Sequence, residues 1–223
     1  LAKEFYRDEG ERVAISDAIV FDRRGGVIYL SKPRLTPEDV VASRFAAVIE
    51  EAGVRYAIVA GYIAILFGRA RRSDDIDFVL EYLGEDGFVD LCRRARRVGF
   101  TMMQGDIASE ESVRSVYRDY LARGYSVRFM YRDIILPNIE AKLATTSVHR
   151  YVISHSIRVV VNNEYTLRVS PLEFQIAYKL YLGSDKDIGD AVFLYTLFKK
   201  IISLQELYMW CERLGVNCKV LER

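Results

Sequence analysis

Asp75 and Asp77 stand one residue apart at the head of an apolar run, Asp75-Ile76-Asp77-Phe78-Val79-Leu80. Side chains alternate between the faces of a strand, so the two carboxylates share one face while Asp74 and Ile76 take the other. Paired carboxylates on a rigid strand suit a hard divalent cation, Mg²⁺ or Mn²⁺, whose shell phosphate oxygens complete. Upstream, the apolar run Ala57-Ile58-Val59-Ala60 ends at Gly61. Glycine at a strand-to-helix turn lets a phosphate approach the backbone, and the start of a helix offers unpaired N–H groups. Arg69, Arg71 and Arg72 lie on the connection and could neutralise phosphates or an RNA backbone. Amides on one side and metal on the other make a nucleotide site. Two metals there would activate an acceptor hydroxyl and stabilise leaving pyrophosphate. A lone Asp-x-Asp is more often a solvated strand end. Strand, glycine, apolar helix, basic loop and acidic strand in that order are more specific.

A second group of charges lies downstream: Lys179, then Asp185, Lys186, Asp187 and Asp190. Ser184-x-x-Asp187 fits a capping-box-like helix start, and acids favour the positive end of a helix. That explains the acids but neither Lys186 at the same end nor Lys179 on the preceding helix. The four arginines Arg93, Arg94, Arg96 and Arg97 fall mostly opposite the apolar positions Phe88, Leu91, Ala95 and Val98. They read as a solvated helix face, with RNA contact as the sharper alternative. His149 and His155 have no partner at an informative spacing, and the aromatic positions from Phe193 to Trp210 read as helix–helix core.

The elements that must position these residues follow from turn and cap signals. Val13–Phe21 and Val27–Leu30, written with their intervening Asp22-Arg23-Arg24-Gly25-Gly26, predict a hairpin. Thr36-Pro37 opens a helix to about Glu51, stopped by Gly53. Strand 54–60, a short helix from Gly61 to Phe67 and strand 76–81 come next. Helices are predicted over 86–98 and 109–122, and a strand over 125–131. Strand candidates follow at 151–153, 157–161 and 165–169, the last two around an Asn162-Asn163 turn. From residue 170 the pattern becomes helical, over 171–182, 186–199 and 204–214. An α/β half, 1–169, is therefore expected with a helical region, 170–223, packed against it.

The bulk numbers bound the function. The chain has 223 residues, 51% of them hydrophobic, and a net charge of +1. A sizeable core is expected, and any polyanion site must be local. Three cysteines with no close pair predict a reduced, cytoplasmic protein without a secretory leader. Two histidines leave no zinc-type cluster. No apolar run reaches the ~18–20 residues that span a bilayer, so no membrane partner is expected.

Ala60-Gly61 followed by Asp75-Ile76-Asp77 resembles the DNA polymerase beta-like nucleotidyltransferase superfamily. Ser170-Pro171-Leu172-Glu173 with Lys179-Leu180 and Lys186-Asp187-x-x-Asp190 is similar to its AbiEii-like branch, which includes toxins of type IV toxin–antitoxin pairs. The resemblance covers about residues 54–200. It implies an α/β nucleotidyltransferase fold, a mixed sheet with flanking helices followed by a C-terminal helical bundle. It also implies Mg²⁺, a nucleoside triphosphate, an RNA (tRNA) or protein acceptor, and a cognate antitoxin. Asp75 and Asp77 are then the catalytic and metal residues; Gly61, Lys179 and Asp187 bind the nucleotide. Family members carry a third carboxylate on the strand beside the acidic strand. Here that strand is expected at 125–131, where Arg128 takes the position and would pair with Asp77; Asp133 or Glu140 could supply the charge instead. Three readings stay open: a transferase, a catalytically silent nucleotide-binding partner, and an antidote to a helical nuclease. The Ser170–Asp190 match argues against the last.

Overall fold

The computed structural model describes residues 11–132 and 134–222. In chain order the strands and helices are β1 (Arg12–Ser16), β2 (Ile19–Asp22), β3 (Val27–Leu30), α1 (Pro37–Glu51), β4 (Tyr56–Val59), α2 (Gly61–Leu66), β5 (Asp75–Leu80), α3 (Glu85–Arg97), β6 (Phe100–Met102), α4 (Glu110–Asp119), β7 (Val127–Tyr131), β8 (Ile134–Leu143), α5 (Ser147–Ser154), β9 (Ile157–Val161), β10 (Tyr165–Val169), α6 (Leu172–Leu182), α7 (Asp185–Phe198) and α8 (Leu204–Leu214). This is a mixed α/β fold with flanking helices and a helical C-terminal part. It divides into two compact units, both built from discontinuous stretches.

The unit holding the acidic strand comprises Leu35–Ser156 and Arg168–Pro171. Its strands run in the order β4-β5-β8-β7-β6. β5 is antiparallel to β4 and parallel to β8, and β7 lies antiparallel to β8 on the far side. One face of this sheet is aromatic. Phe45 of α1 meets Phe78 of β5, Phe100 of β6 and Phe129 of β7 with ring centroids 5.2, 5.2 and 5.1 Å apart. Ile76, Phe78 and Leu80 all point to that buried face, which fixes the rotation of β5 and turns Asp75 and Asp77 to the other side. α1 begins with a full capping box between Thr36 and Asp39, with Pro37 in its first turn, and Gly53 at φ 70° carries the chain out of it.

The other unit comprises the described residues up to Arg34, Ile157–Leu167, and those from Leu172 onward. β1, β2 and β3 pair antiparallel in sequence, and β3 takes β9 in parallel. Asn162 and Asn163 turn from β9 to β10 with φ of 54° and 56°, values that asparagine tolerates better than most residues. α6 packs on both α7 and α8.

Four expectations about elements change. The first hairpin arm, expected over 13–21, is broken at Asp17-Ala18 into β1 and β2, where Ala18 N–H donates to Ser16 Oγ. Residues 151–153, rich in strand-forming types, lie inside α5, which Thr146 caps by accepting from His149 N–H at 3.0 Å. A local cap here outweighs strand propensity. β6 and the ten-residue β8 were not anticipated. Finally, Cys211 and Cys218 form a disulfide instead of remaining thiols. Gly215 ends α8 at φ 69° and reverses the chain, which brings the two Cα atoms to 6.1 Å. Cys92 is a buried free thiol, its pKa pushed up by burial.

Candidate active site

The strand-to-helix turn comes first. Ala60 precedes α2 with φ 62° and ψ −136°, a conformation that costs a residue with a Cβ. Gly61 follows at the first position of α2. A Cβ on Gly61 would lie 2.8 Å from Arg71 Nη2 and 3.3 Å from Ser73 Oγ. Arg71 Nη2 donates to the Gly61 carbonyl at 2.8 Å, and its Nη1 to the Arg72 carbonyl at 3.0 Å. The missing side chain is therefore what admits a guanidinium to the turn. α2 is only six residues long, so this cation, more than a helix dipole, sets the local charge.

Tyr62 anchors the turn from below. Its hydroxyl is buried and donates to Asp39 Oδ1 at 2.8 Å, while Asp39 Oδ2 accepts the Thr36 N–H at 2.8 Å. Burial, reinforced by the Asp39 charge, lifts the Tyr62 pKa well above the usual tyrosine value, so it stays a donor. The N-terminal cap of α1 thus holds α2 in place.

Asp75 and Asp77 share the face of β5 opposite the aromatic core, both partly exposed. Ser73 Oγ lies 3.5 Å from Asp75 Oδ1. The strand beside β5 is β8, not β7. Its register sets Asn138 opposite Asp75 and Glu140 opposite Asp77. Register partners project from the same face of a sheet, so Asp75, Asp77, Asn138 and Glu140 lie on one surface. This corrects the expected placement of the third carboxylate. Arg128 is one strand further out, opposite Glu140. Its Nη2 pairs with Glu140 Oε2 at 2.8 Å, not with Asp77, and Ser126 Oγ donates to Glu140 Oε1 at 2.9 Å. The alternative carboxylate Asp133 lies outside the described residues.

The donor set fits a hard cation. Asp75, Asp77 and Glu140 are oxygen ligands of the right type. Asn138 adds an independent observation. It is 2% exposed, its Nδ2 donates to the Asp74 carbonyl at 3.1 Å, and its Oδ1 has no hydrogen-bond partner. A buried amide oxygen without a partner is costly and is normally matched by water, ion or ligand. No three His, Cys, Asp or Glu side chains among the described residues form a metal-holding group by themselves. The fit is thus to a cation that shares its shell with substrate oxygens.

Lys179 and Asp187 belong to the other unit. Lys179 Nζ lies 2.6 Å from Asp187 Oδ1 and 3.0 Å from Asp190 Oδ2, and its side chain is 3% exposed. Ser184 caps α7 and also donates to Asp187. Burial alone would raise the Asp187 pKa, but hydrogen bonds from Lys179 and Ser184 and the Lys179 charge outweigh it, and the pKa is lowered. Within its unit this cluster braces α6 against α7. The α3 arginines are largely engaged in ion pairs: Arg94 with Glu51 at 2.6 Å and Asp90 at 2.7 Å, and Arg97 with Glu51 at 3.3 Å.

No protein-family profile matches the chain, and no curated protein matches it. Solved structures do match. An antigenic nucleotidyltransferase-like protein from Paracoccidioides brasiliensis aligns with a TM-score of 0.49 at 13% identity, covering 82% of this chain and 89% of its own. The antibiotic-resistance factor ANT(2'')-Ia aligns with a TM-score of 0.49 at 14% identity, covering 82% of this chain and 94% of its own. Likeness at this level carries no information about which side chains act.

Sequence reasoning named Glu140 only as an alternative and missed Asn138. An acidic residue in an Ile-Glu-Ala-Lys-Leu alternation, 139–143, was the available signal for β8. Leu136-Pro137 at its head hid it, because proline argues against an interior strand.

Proposed function

We propose that the chain is a nucleotidyltransferase that moves a nucleotide from a nucleoside triphosphate to a hydroxyl acceptor. The observation that carries this reading is the β5–β8 register, which aligns Glu140 with Asp77 beside Asp75 on one sheet face. Asp75 and Asp77 would hold Mg²⁺ or Mn²⁺, with the Asn138 amide oxygen available to the same cation or to its water. When bound, the metal would neutralise the triphosphate and lower the pKa of the acceptor hydroxyl. Gly61 leaves room at the turn, and Arg71 brings a cation there for phosphate oxygens. Glu140, once clear of Arg128, would hold the proton that the acceptor gives up.

Lys179 and Asp187 enter as nucleotide-positioning residues through the resemblance of 170–190 alone. A lysine cation held between two carboxylates is compatible with such a role, and its buried pairing equally suits a brace. An RNA or tRNA acceptor, a toxin role and a cognate antitoxin rest on the same resemblance. The Arg128–Glu140 pair favours one rival reading, a catalytically silent protein that binds nucleotide and serves as a partner of a toxin–antitoxin pair.

The test is incubation with Mg²⁺, each labelled triphosphate and total RNA. Label should enter RNA or protein with the wild type and not with Asp75→Ala/Asp77→Ala, a loss of at least about 10²-fold for removed metal ligands. Nucleotide binding without transfer under every acceptor would favour the silent reading.

A further inference from the structure

We propose that Arg128 is the acceptor-recognition residue of this site and that it selects acceptors carrying phosphate next to the reacting hydroxyl. The inference rests on the transferase reading above. Both oxygens of Glu140 are occupied, one by Arg128 and the other by Ser126. Each oxygen keeps a further lone pair, but with the Arg128 cation against it Glu140 offers a metal ion or an acceptor proton a largely neutralised partner. Its full charge becomes available only when Arg128 moves away.

The geometry makes Arg128 easy to recruit. Its side chain is 44% exposed, against 22% for Glu140, so the guanidinium reaches solvent while the carboxylate is more enclosed. An ion pair so exposed is weak and readily exchanged. The backbone of Arg128 is fixed: its N–H donates to Gln104 Oε1 at 3.0 Å, and its carbonyl accepts the Met103 N–H at 2.9 Å. Movement is confined to the side chain. A guanidinium offers a fork of donors that matches a phosphate at least as well as a carboxylate. A phosphodiester or phosphomonoester beside the acceptor hydroxyl would thus draw Arg128 off Glu140 and free that carboxylate in one exchange. A cationic acceptor would be repelled by Arg128. A neutral one would leave the pair closed. No bond is made or broken in the exchange; one ion pair replaces another.

The test reads metal affinity, not turnover. Mn²⁺ binding to the full chain is followed by paramagnetic titration, with and without a short oligoribonucleotide as the phosphate-bearing probe. Arg128→Ala and Arg128→Gln should each bind Mn²⁺ about fivefold or more tightly than wild type, a typical coupling between linked sites. The oligonucleotide should tighten wild-type Mn²⁺ binding by a similar factor and leave both variants unchanged. Adding Glu140→Gln to Arg128→Ala should cancel the gain. If Asp75→Asn/Asp77→Asn abolishes Mn²⁺ binding but the Arg128 variants match the wild type, the gating role of Arg128 is overturned while the metal site stands. If Asp75→Asn/Asp77→Asn binds Mn²⁺ as the wild type does, the transferase reading itself falls, and this inference with it.

Discussion

Ala60 adopts a backbone conformation that suits glycine, at φ 62° and ψ −136°, directly ahead of the glycine that opens the turn. Strain at such a position is held in place by its surroundings and marks a site shaped for a purpose. Ala60→Gly should therefore stabilise the chain by ~1 kcal/mol, seen as a higher urea midpoint with unchanged slope. An unchanged or lower midpoint would mean that the position is not strained. Tyr62→Phe has the opposite expectation. It removes one donor from the buried Asp39 carboxylate, so about 1.5–3 kcal/mol of stability should be lost, the usual worth of a hydrogen bond to a charged group. Because Asp39 is also the capping-box partner of Thr36 at the start of α1, the same variant should loosen the Gly61 turn and, on the transferase reading, weaken triphosphate binding. Glu140 shows how a single residue changes meaning with its neighbours. By itself it is one acid in a run of alternating residues; aligned with Asp77 it stands on the same sheet face as the two aspartates and is the third carboxylate of the proposed site.

The elements owe their orientation to apolar faces. Ile76, Phe78 and Leu80 are buried against α1, and this alone obliges Asp75 and Asp77 to face away from the core. Between α6 and α7 the brace is ionic. Asp190 is fully buried, and Lys179 nearly so. Such a pair adds little over a well-packed apolar one, but breaking it strands a charge. Lys179→Met should cost about 3–5 kcal/mol, measured by denaturant unfolding, because both aspartates lose their cation. The pH dependence follows from Asp187. Its native pKa lies below the ordinary 3.8, so the unfolded chain takes up the proton first on acidification. The stabilisation is complete above that ordinary value and disappears as pH falls through the lower native one. Unfolding midpoints compared at about pH 5 and pH 3 should drop more steeply for the wild type than for Asp187→Asn. Equal slopes would remove Asp187 from the acid response.

At the scale of the molecule, a net charge of +1 gives no general attraction to polyanions. On the transferase reading, binding of nucleotide or RNA would have to come from local groups such as Arg71 and Arg128. Among the described residues no helix is long and apolar enough to cross a membrane. The C-terminal disulfide closes a short loop across the end of α8. A loop of this size limits the gain to ~2.4 kcal/mol in the entropic account. Cys211→Ser/Cys218→Ser should lower the unfolding free energy, read from the urea midpoint and slope, by no more than that, and reductant should bring the wild type to the same value. A wild type indifferent to reductant would mean that the bond contributes nothing to stability.

Local signals were enough for much of this protein. The Thr36 cap, the Gly53 stop, the Asn162-Asn163 turn and the spacing of Asp75 and Asp77 are all readable along the chain, because caps, turns and strand alternation act over a few residues. The three C-terminal helices were legible for the same reason, through their period of apolar positions. What the chain order could not reveal is which strand lies beside β5. Strand pairing is decided by burial of a whole face across distant segments, and here it sets β8, whose register partners lie 63 residues beyond their β5 counterparts (Asp75 with Asn138, Asp77 with Glu140), next to β5 in place of β7. That choice moved Arg128 off Asp77 and gave the position to Glu140. It also placed the unpartnered buried oxygen of Asn138 beside Asp75. The proposed chemistry rests on residue types and spacing; which residues share the candidate site's face was decided only when distant strands were brought edge to edge.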